Sequence, residues 1–176
     1  MNIVFLHEGI TPSLIPLLTI IEHHPNCIVG CIIMPTQRVK EETPPGWYMD
    51  SCDDKTALAL LECVKKKQLY GIMSAFLIIK EPNSFLQLSV LAAIGCFKLN
   101  YNSGEGGQGC LKLLEVLAKH NIRTCFPQTS LPLFEYSSES LHERNEQIKA
   151  AFEEVFGTVA KQWLPESWGL EPVSYY

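Results

Sequence analysis

The richest run of chemistry-bearing residues in the 176-residue chain is Gly104-Glu-Gly-Gly-Gln-Gly109. Glycines at 104, 106, 107 and 109 permit positive φ and close backbone approach to a ligand, more than a tight turn requires. A helix beginning at Cys110 would present unpaired N–H groups that favour an anion. Glu105 is suited to act as a general base or to hold an ammonium group. Gln108 adds an amide, and Asn102 and Ser103 lead into the run from Lys98 and Asn100. The spacing matches neither a Walker loop nor a dinucleotide fingerprint, because Gly-Lys-Ser/Thr is absent and the first apolar segment lacks G-x-G-x-x-G. A flexible strand–helix turn with a solvated carboxylate is the competing reading.

A second polar group, His7-Glu8, follows the first apolar segment, where His7 is placed to polarise a substrate. A plain loop histidine is the alternative there. His23-His24 and Lys65-Lys66-Lys67 end helical segments, where cations complement the helix dipole. His120 and His142 show no partner in the sequence. G-x-S-x-G, H-E-x-x-H and C-x-x-C are all absent, which removes the simple hydrolase and metalloprotease readings. Cys27 and Cys31 lie four apart, but no second pair has ligand spacing. No metal site is therefore expected, and the seven cysteines are read as reduced thiols of a cytoplasmic protein.

The elements that must position these groups alternate along the chain. Met1–Leu6 reads as a short buried strand, and Thr11-Pro12-Ser13 opens a helix that Thr11 can cap. Cys27–Met34 is an apolar strand ended by Pro35, and Asp53-Asp54 begins a helix running to Lys67. Tyr70–Ile79 is a third strand, Pro82–Ala93 a helix, and Phe97–Tyr101 a fourth strand. A helix over Cys110–Lys119, a strand over Ile122–Phe126 and a long helix over Ser140–Trp163 complete the series. Such alternation predicts a parallel sheet covered on both faces, with ligands beyond the carboxyl ends of its strands.

The length suits one domain, here residues 1–164 with a tail over 165–176. A net charge of −5 with three arginines argues against nucleic-acid binding. No apolar run approaches the ~20 residues of a membrane span, and the first residues lack the basic region of a signal peptide. Trp163, Trp168, Tyr175 and Tyr176 suit a homodimer surface, or a tail folded back over the core.

Several stretches resemble the catalytic domain of folate-dependent formyltransferases. Met1-Asn-Ile-Val-Phe-Leu is similar to that family's opening strand, Thr11-Pro-Ser-Leu-Ile-Pro-Leu-Leu to its first helix, and Ile28–Pro35 to its second strand. Gly95–Gly109 aligns without a gap along the family's G-C-x-N-x-H-x-S-L-L-P-x-x-x-G segment, and Ser138-Glu-Ser-Leu-His-Glu-Arg resembles the opening of its last helix. The resemblance covers Met1–Leu164 and implies a single-domain, three-layer α/β sandwich with a mostly parallel, Rossmann-like sheet. It also implies a reduced folate, 10-formyltetrahydrofolate, as cofactor.

The resemblance breaks where the chemistry should be. The family's catalytic asparagine falls on Lys98, its histidine on Asn100, and no aspartate follows Asp54. A lysine and an asparagine cannot reproduce the oxyanion and proton-relay pair, although Lys98 can stabilise an anion and Glu105 or Glu135 can serve as base. The expectation is a divergent formyltransferase-like protein that binds a small metabolite. Lys98, Asn100 and Glu105 are its catalytic candidates. His7, Glu8, Asn102, Ser103, Gly104, Gly106, Gly107 and Gln108 are its ligand-binding candidates. Two alternatives accompany it. One is a non-catalytic, degenerate enzyme fold that binds a ligand or a protein partner. The other is a stand-alone relative of the N-terminal domain of D-alanine–D-alanine ligases, whose closing stretch the glycine-rich run and the Leu111-Lys-Leu-Leu-Glu-Val that follows also resemble.

Overall fold

A computed structural model of the chain describes residues 1–6, 10–35, 52–66, 71–81, 87–98, 104–131 and 140–165. Its five strands are β1 (Asn2–Leu6), β2 (Ile28–Pro35), β3 (Ile72–Lys80), β4 (Leu88–Lys98) and β5 (Thr124–Cys125). The helices are α1 (Ile10–His23), α2 (Thr56–Lys65), α3 (Glu105–Lys119) and α4 (Leu141–Trp163). The strands form one sheet in the order β1-β4-β3-β2-β5.

The α/β class and the covering of both sheet faces agree with the sequence. Cys31 and Ile33 of β2, Met73, Ala75 and Leu77 of β3, and Ala93 and Phe97 of β4 face α1, α2 and α3. The alternate residues, Ile32, Met34, Phe76, Ile78, Val90 and Ala92, face α4. There Phe76 stacks on Phe152 with ring centroids 4.8 Å apart, and Phe152 stacks on Phe156. This parity of successive residues is the pleat expressed as two cores.

The mostly parallel sheet is corrected to a mixed one. β1–β4 and β2–β5 are parallel, whereas β2–β3 and β3–β4 are antiparallel. The cause is the segment expected to be a helix over Pro82–Ala93. Its second half belongs to β4, which pairs with β3 from Lys80↔Leu88 to Ile72↔Lys98. The backbone N–H of Glu81 donates to Gln87 O, closing a hairpin where a crossover helix was expected. Leu88, Val90 and Ala92 point to one core and Ala93 and Phe97 to the other, so the apolar run has no polar alternation to mark it as a strand. Gly95 interrupts the register with a φ of 62°, and its N–H donates to Ser74 Oγ at 2.8 Å.

β3 therefore runs against the other four strands. The carboxyl ends of β1, β2, β4 and β5 gather at one end of the sheet, and their amino ends gather at the other, beside Lys80. β1 is an edge strand, more exposed than the buried strand expected, with Val4 44% accessible. The final strand is shorter than Ile122–Phe126. No helix among the described residues is long and apolar enough to cross a membrane.

The thiol reading holds in part. Cys31 and Cys110 are free and buried, and burial pushes both thiols up to about 12. Cys52 and Cys125, however, form a disulfide. Thr124 N donates to Asp53 O at 2.8 Å, which holds the chain before α2 alongside β5 and so brings the two cysteines together. Trp163 is also redirected: it is 5% exposed and packs in the core under α4, unavailable to a dimer surface. Trp168, Tyr175 and Tyr176 lie outside the described residues.

Candidate functional site

At the carboxyl end of the sheet, β1 and β4 lie side by side, with Leu6 opposite Ala93. Each strand leads to a helix that begins at this end, α1 at Ile10 and α3 at Glu105. The hydroxyl of Ser13 reaches back to Leu6 O at 3.4 Å, tying the first turn of α1 to its strand. Thr11 sits inside this turn instead of capping it, and its hydroxyl donates to the Glu105 carboxylate. This side-chain bond joins two helix amino termini over neighbouring parallel strands.

The glycine-rich run is helix, not loop. α3 begins at Glu105, five residues before the expected start at Cys110, and Gln108 N donates to Gly104 O at 3.1 Å. Gly104 alone within the run has positive φ, at 71°, and it occupies the position before the helix with no side chain to cap the N–H groups that follow. Gly106, Gly107 and Gly109 are buried within the first turns of α3. Each costs helix stability of roughly 1 kcal/mol against alanine. Burial of the helix's apolar stripe, including Leu113, Leu114 and Leu117, outweighs that cost.

Glu105, Gly104, Gly106, Gly107 and Gln108 are thus gathered in a single helical turn. Glu105 and Gln108 are exposed, whereas Gly106 and Gly107 are buried. Lys98 is the last residue of β4, paired through its backbone with Ile72. His7, Glu8, Asn100, Asn102, Ser103 and Glu135 lie outside the described residues. Among the described residues no group of three or more His, Cys, Asp or Glu is placed to hold a metal ion.

No protein-family model, curated protein or solved structure matches the chain. The site therefore stands on its own geometry.

Sequence reasoning missed the opposite end of the sheet. Two open clefts, of about 390 and 590 Å³, adjoin there and share Asn121, Arg123 and Trp163. Trp163 Nε1 donates to Cys52 O at 2.8 Å, and Arg123 Nη1 donates to Trp163 O at 3.0 Å. Helix α3 ends here in a left-handed residue, Asn121 (φ 52°), with Asn121 N bonded to Ala118 O and Ile122 N to Leu117 O. That pair of bonds is the Schellman arrangement, with Asn in place of the usual glycine. The signal was present in His120-Asn-Ile, an Asn followed by an apolar residue just past a helical stripe.

Proposed function

We propose that this protein binds a small metabolite at the carboxyl ends of β1 and β4, as a ligand-binding relative of an enzyme fold. The observation that carries the proposal is the Thr11–Glu105 hydrogen bond, which brings the amino termini of α1 and α3 together at that end. Two groups of helix N–H donors directed at one place favour a ligand with an anionic group. Glu105, exposed beside them, gives the same site a partner for an amine. A reduced folate, with its carboxylates and its amine-bearing pterin, combines both features and agrees with the formyltransferase-like stretches of sequence.

Binding without standard formyl transfer is favoured because Lys98 and Asn100 stand where that chemistry needs an asparagine and a histidine. Glu105, the remaining catalytic candidate, already accepts a hydrogen bond from Thr11. The test is thermal unfolding with tetrahydrofolate, 10-formyltetrahydrofolate and, as a control, a nucleotide. A ligand at a hundred times its Kd stabilises by about 2.7 kcal/mol, which raises the Tm of a chain this size by roughly 5–10 °C. That rise should shrink in Thr11→Val and Glu105→Gln. An unchanged Tm with every folate would overturn the proposal. Turnover of 10-formyltetrahydrofolate that stops in Glu105→Gln would replace binding with catalysis.

A further inference from the structure

We propose that the Cys52–Cys125 disulfide is a reversible thiol switch, opened by a small thiol that attacks the sulfur of Cys52. The other cysteines whose side chains are described, Cys27, Cys31, Cys63 and Cys110, are free, and Cys27 and Cys63 are only partly buried. One bond among unpaired thiols is the pattern of a setting that keeps thiols reduced. Disulfides that form in such a setting are transient and redox-sensing.

The two halves of the bond are unequally placed. Cys125 is 2% exposed and belongs to the core under α4. Cys52 sits at the margin of that core, partly buried, and lines the larger of the two clefts. Exchange depends on access to the sulfur attacked, so an incoming thiolate meets Cys52 first. It forms a mixed disulfide there, and the Cys52–Cys125 bond breaks with its electron pair on Cys125, which takes up a proton. A second thiolate attacks the sulfur that the first one brought, and Cys52 leaves and is protonated in turn. In sum, one protein disulfide and two small thiols become two protein thiols and one small disulfide. The reverse sequence closes the bond.

Reversibility comes from the hydrogen bonds around the pair. Thr124 N donates to Asp53 O at 2.8 Å, joining the sequence neighbours of the two cysteines. Trp163 Nε1 donates to Cys52 O at 2.8 Å. Asp53 Oδ1 accepts from Lys55 N and Thr56 N, which fixes the entry to α2. On the other side, Cys125 is held in β5 by its pairing with Ile32 of β2. These contacts keep the two sulfurs adjacent after reduction, so they reclose in preference to pairing with Cys27, Cys31, Cys63 or Cys110. Reduction replaces a covalent tether on Cys52 by hydrogen bonds alone, and the cleft wall at Cys52–Asp54 then parts from Trp163 more often.

The experiment equilibrates the native full chain in buffers of reduced and oxidised glutathione at a series of ratios. Samples are quenched in acid, alkylated and mapped by mass spectrometry, with amide NMR spectra recorded in parallel. The closed fraction should follow the buffer ratio and agree whether approached from the oxidised or the reduced chain. Amide shifts should change around Cys52–Thr56, Arg123–Cys125 and Trp163 while the remaining spectrum stays that of a folded chain. Cys125→Ser should accumulate glutathione on Cys52, whereas Cys52→Ser should leave Cys125 unmodified over the same interval. A chain that stays reduced in oxidised glutathione, or a bond that yields only in denaturant, would overturn the proposal. So would reduction that unfolds the chain, reoxidation into other cysteine pairs, or glutathione taken up by Cys125 before Cys52.

Discussion

The ring of Trp163 fills the space that a side chain at Gly30 would occupy: a Cβ there would lie 2.4 Å from Trp163 Cζ3. Glycine in β2 thus allows the end of α4 to settle directly on the sheet. From that seat the indole donates to Cys52 O, while the backbone carbonyl of the same residue accepts from Arg123. One missing methyl group therefore fixes a wall shared by both clefts.

Gly30→Ala should expel the ring. Overpacking of this kind costs about 1–3 kcal/mol, and the indole N–H resonance of Trp163 should move as its bond to Cys52 O is lost. Trp163→Phe should cost less where the ring is concerned, since it keeps much of the packing and gives up the hydrogen bond. Wild-type stability and an unmoved indole resonance in Gly30→Ala would show that the ring does not depend on this glycine.

Removing the Cys52–Cys125 bond should also weaken the fold. It joins residues 73 apart, and closure of a loop that long restricts the unfolded chain by about 4 kcal/mol on the chain-entropy account. The double variant Cys52→Ala/Cys125→Ala, unfolded in urea, should lose a stability of that order. Reductant should lower the wild-type midpoint and leave that of the double variant alone. A reductant-insensitive wild type would count against the bond.

Reactivity of the remaining thiols should follow burial. The thiolate is the reactive form, and Cys31 and Cys110, held at about 12 by desolvation, form almost none at neutral pH. Site-resolved mass spectrometry after brief alkylation of the native protein should find Cys27 and Cys63, which are only partly buried, modified well before them. Early modification of Cys31 or Cys110 would contradict the packing around β2 and α3.

The first turn of α4 should loosen in acid. Ser140 N donates to the Glu143 carboxylate at 2.7 Å and Glu143 N to Ser140 Oγ at 3.2 Å, a capping box. The bond from the Ser140 backbone, followed by that from its hydroxyl, holds the Glu143 carboxyl below its ordinary 4.5. The folded state thus binds this proton less readily than the unfolded chain, so the contribution is present above about pH 4.5 and disappears as pH falls through the lowered value. Hydrogen exchange at residues 143–146 should accelerate over that window in the wild type. In Glu143→Gln the acceleration should be absent.

What could be read in the sequence depended on whether a segment showed its environment through its own pattern. α4 announced itself by apolar residues recurring at helical spacing from Leu141 to Val159. β2 did so by an Ile- and Val-rich run ending at Pro35. β4 could not, because both of its faces are buried: Leu88–Ala93 shows no polar alternation, and Pro82 ahead of it resembles a helix start. That one segment turned an expected parallel crossover into a hairpin and reversed β3. At the carboxyl end, the four glycines suggested a ligand loop. Burial of Gly106, Gly107 and Gly109 against neighbouring elements depends on tertiary packing that a local spacing does not encode. His120 and Arg123 were hidden for a different reason, since the elements that surround them are contributed by residues as far apart as Pro25 and Trp163.

The reversed strand has a consequence for how the two ends of the sheet communicate. β3 has nine residues, so its termini stand roughly 25–30 Å apart. That distance is about three Debye lengths at physiological ionic strength. A charge added beside Glu105 is therefore screened from Arg123, and substitutions at the two ends, joined by the length of helix α3, lie beyond the roughly 7–10 Å over which neighbours couple. Their effects on stability should add, as a double-mutant cycle between Glu105→Gln and His120→Ala would measure. Each end of this small sheet is then free to change its chemistry without retuning the other.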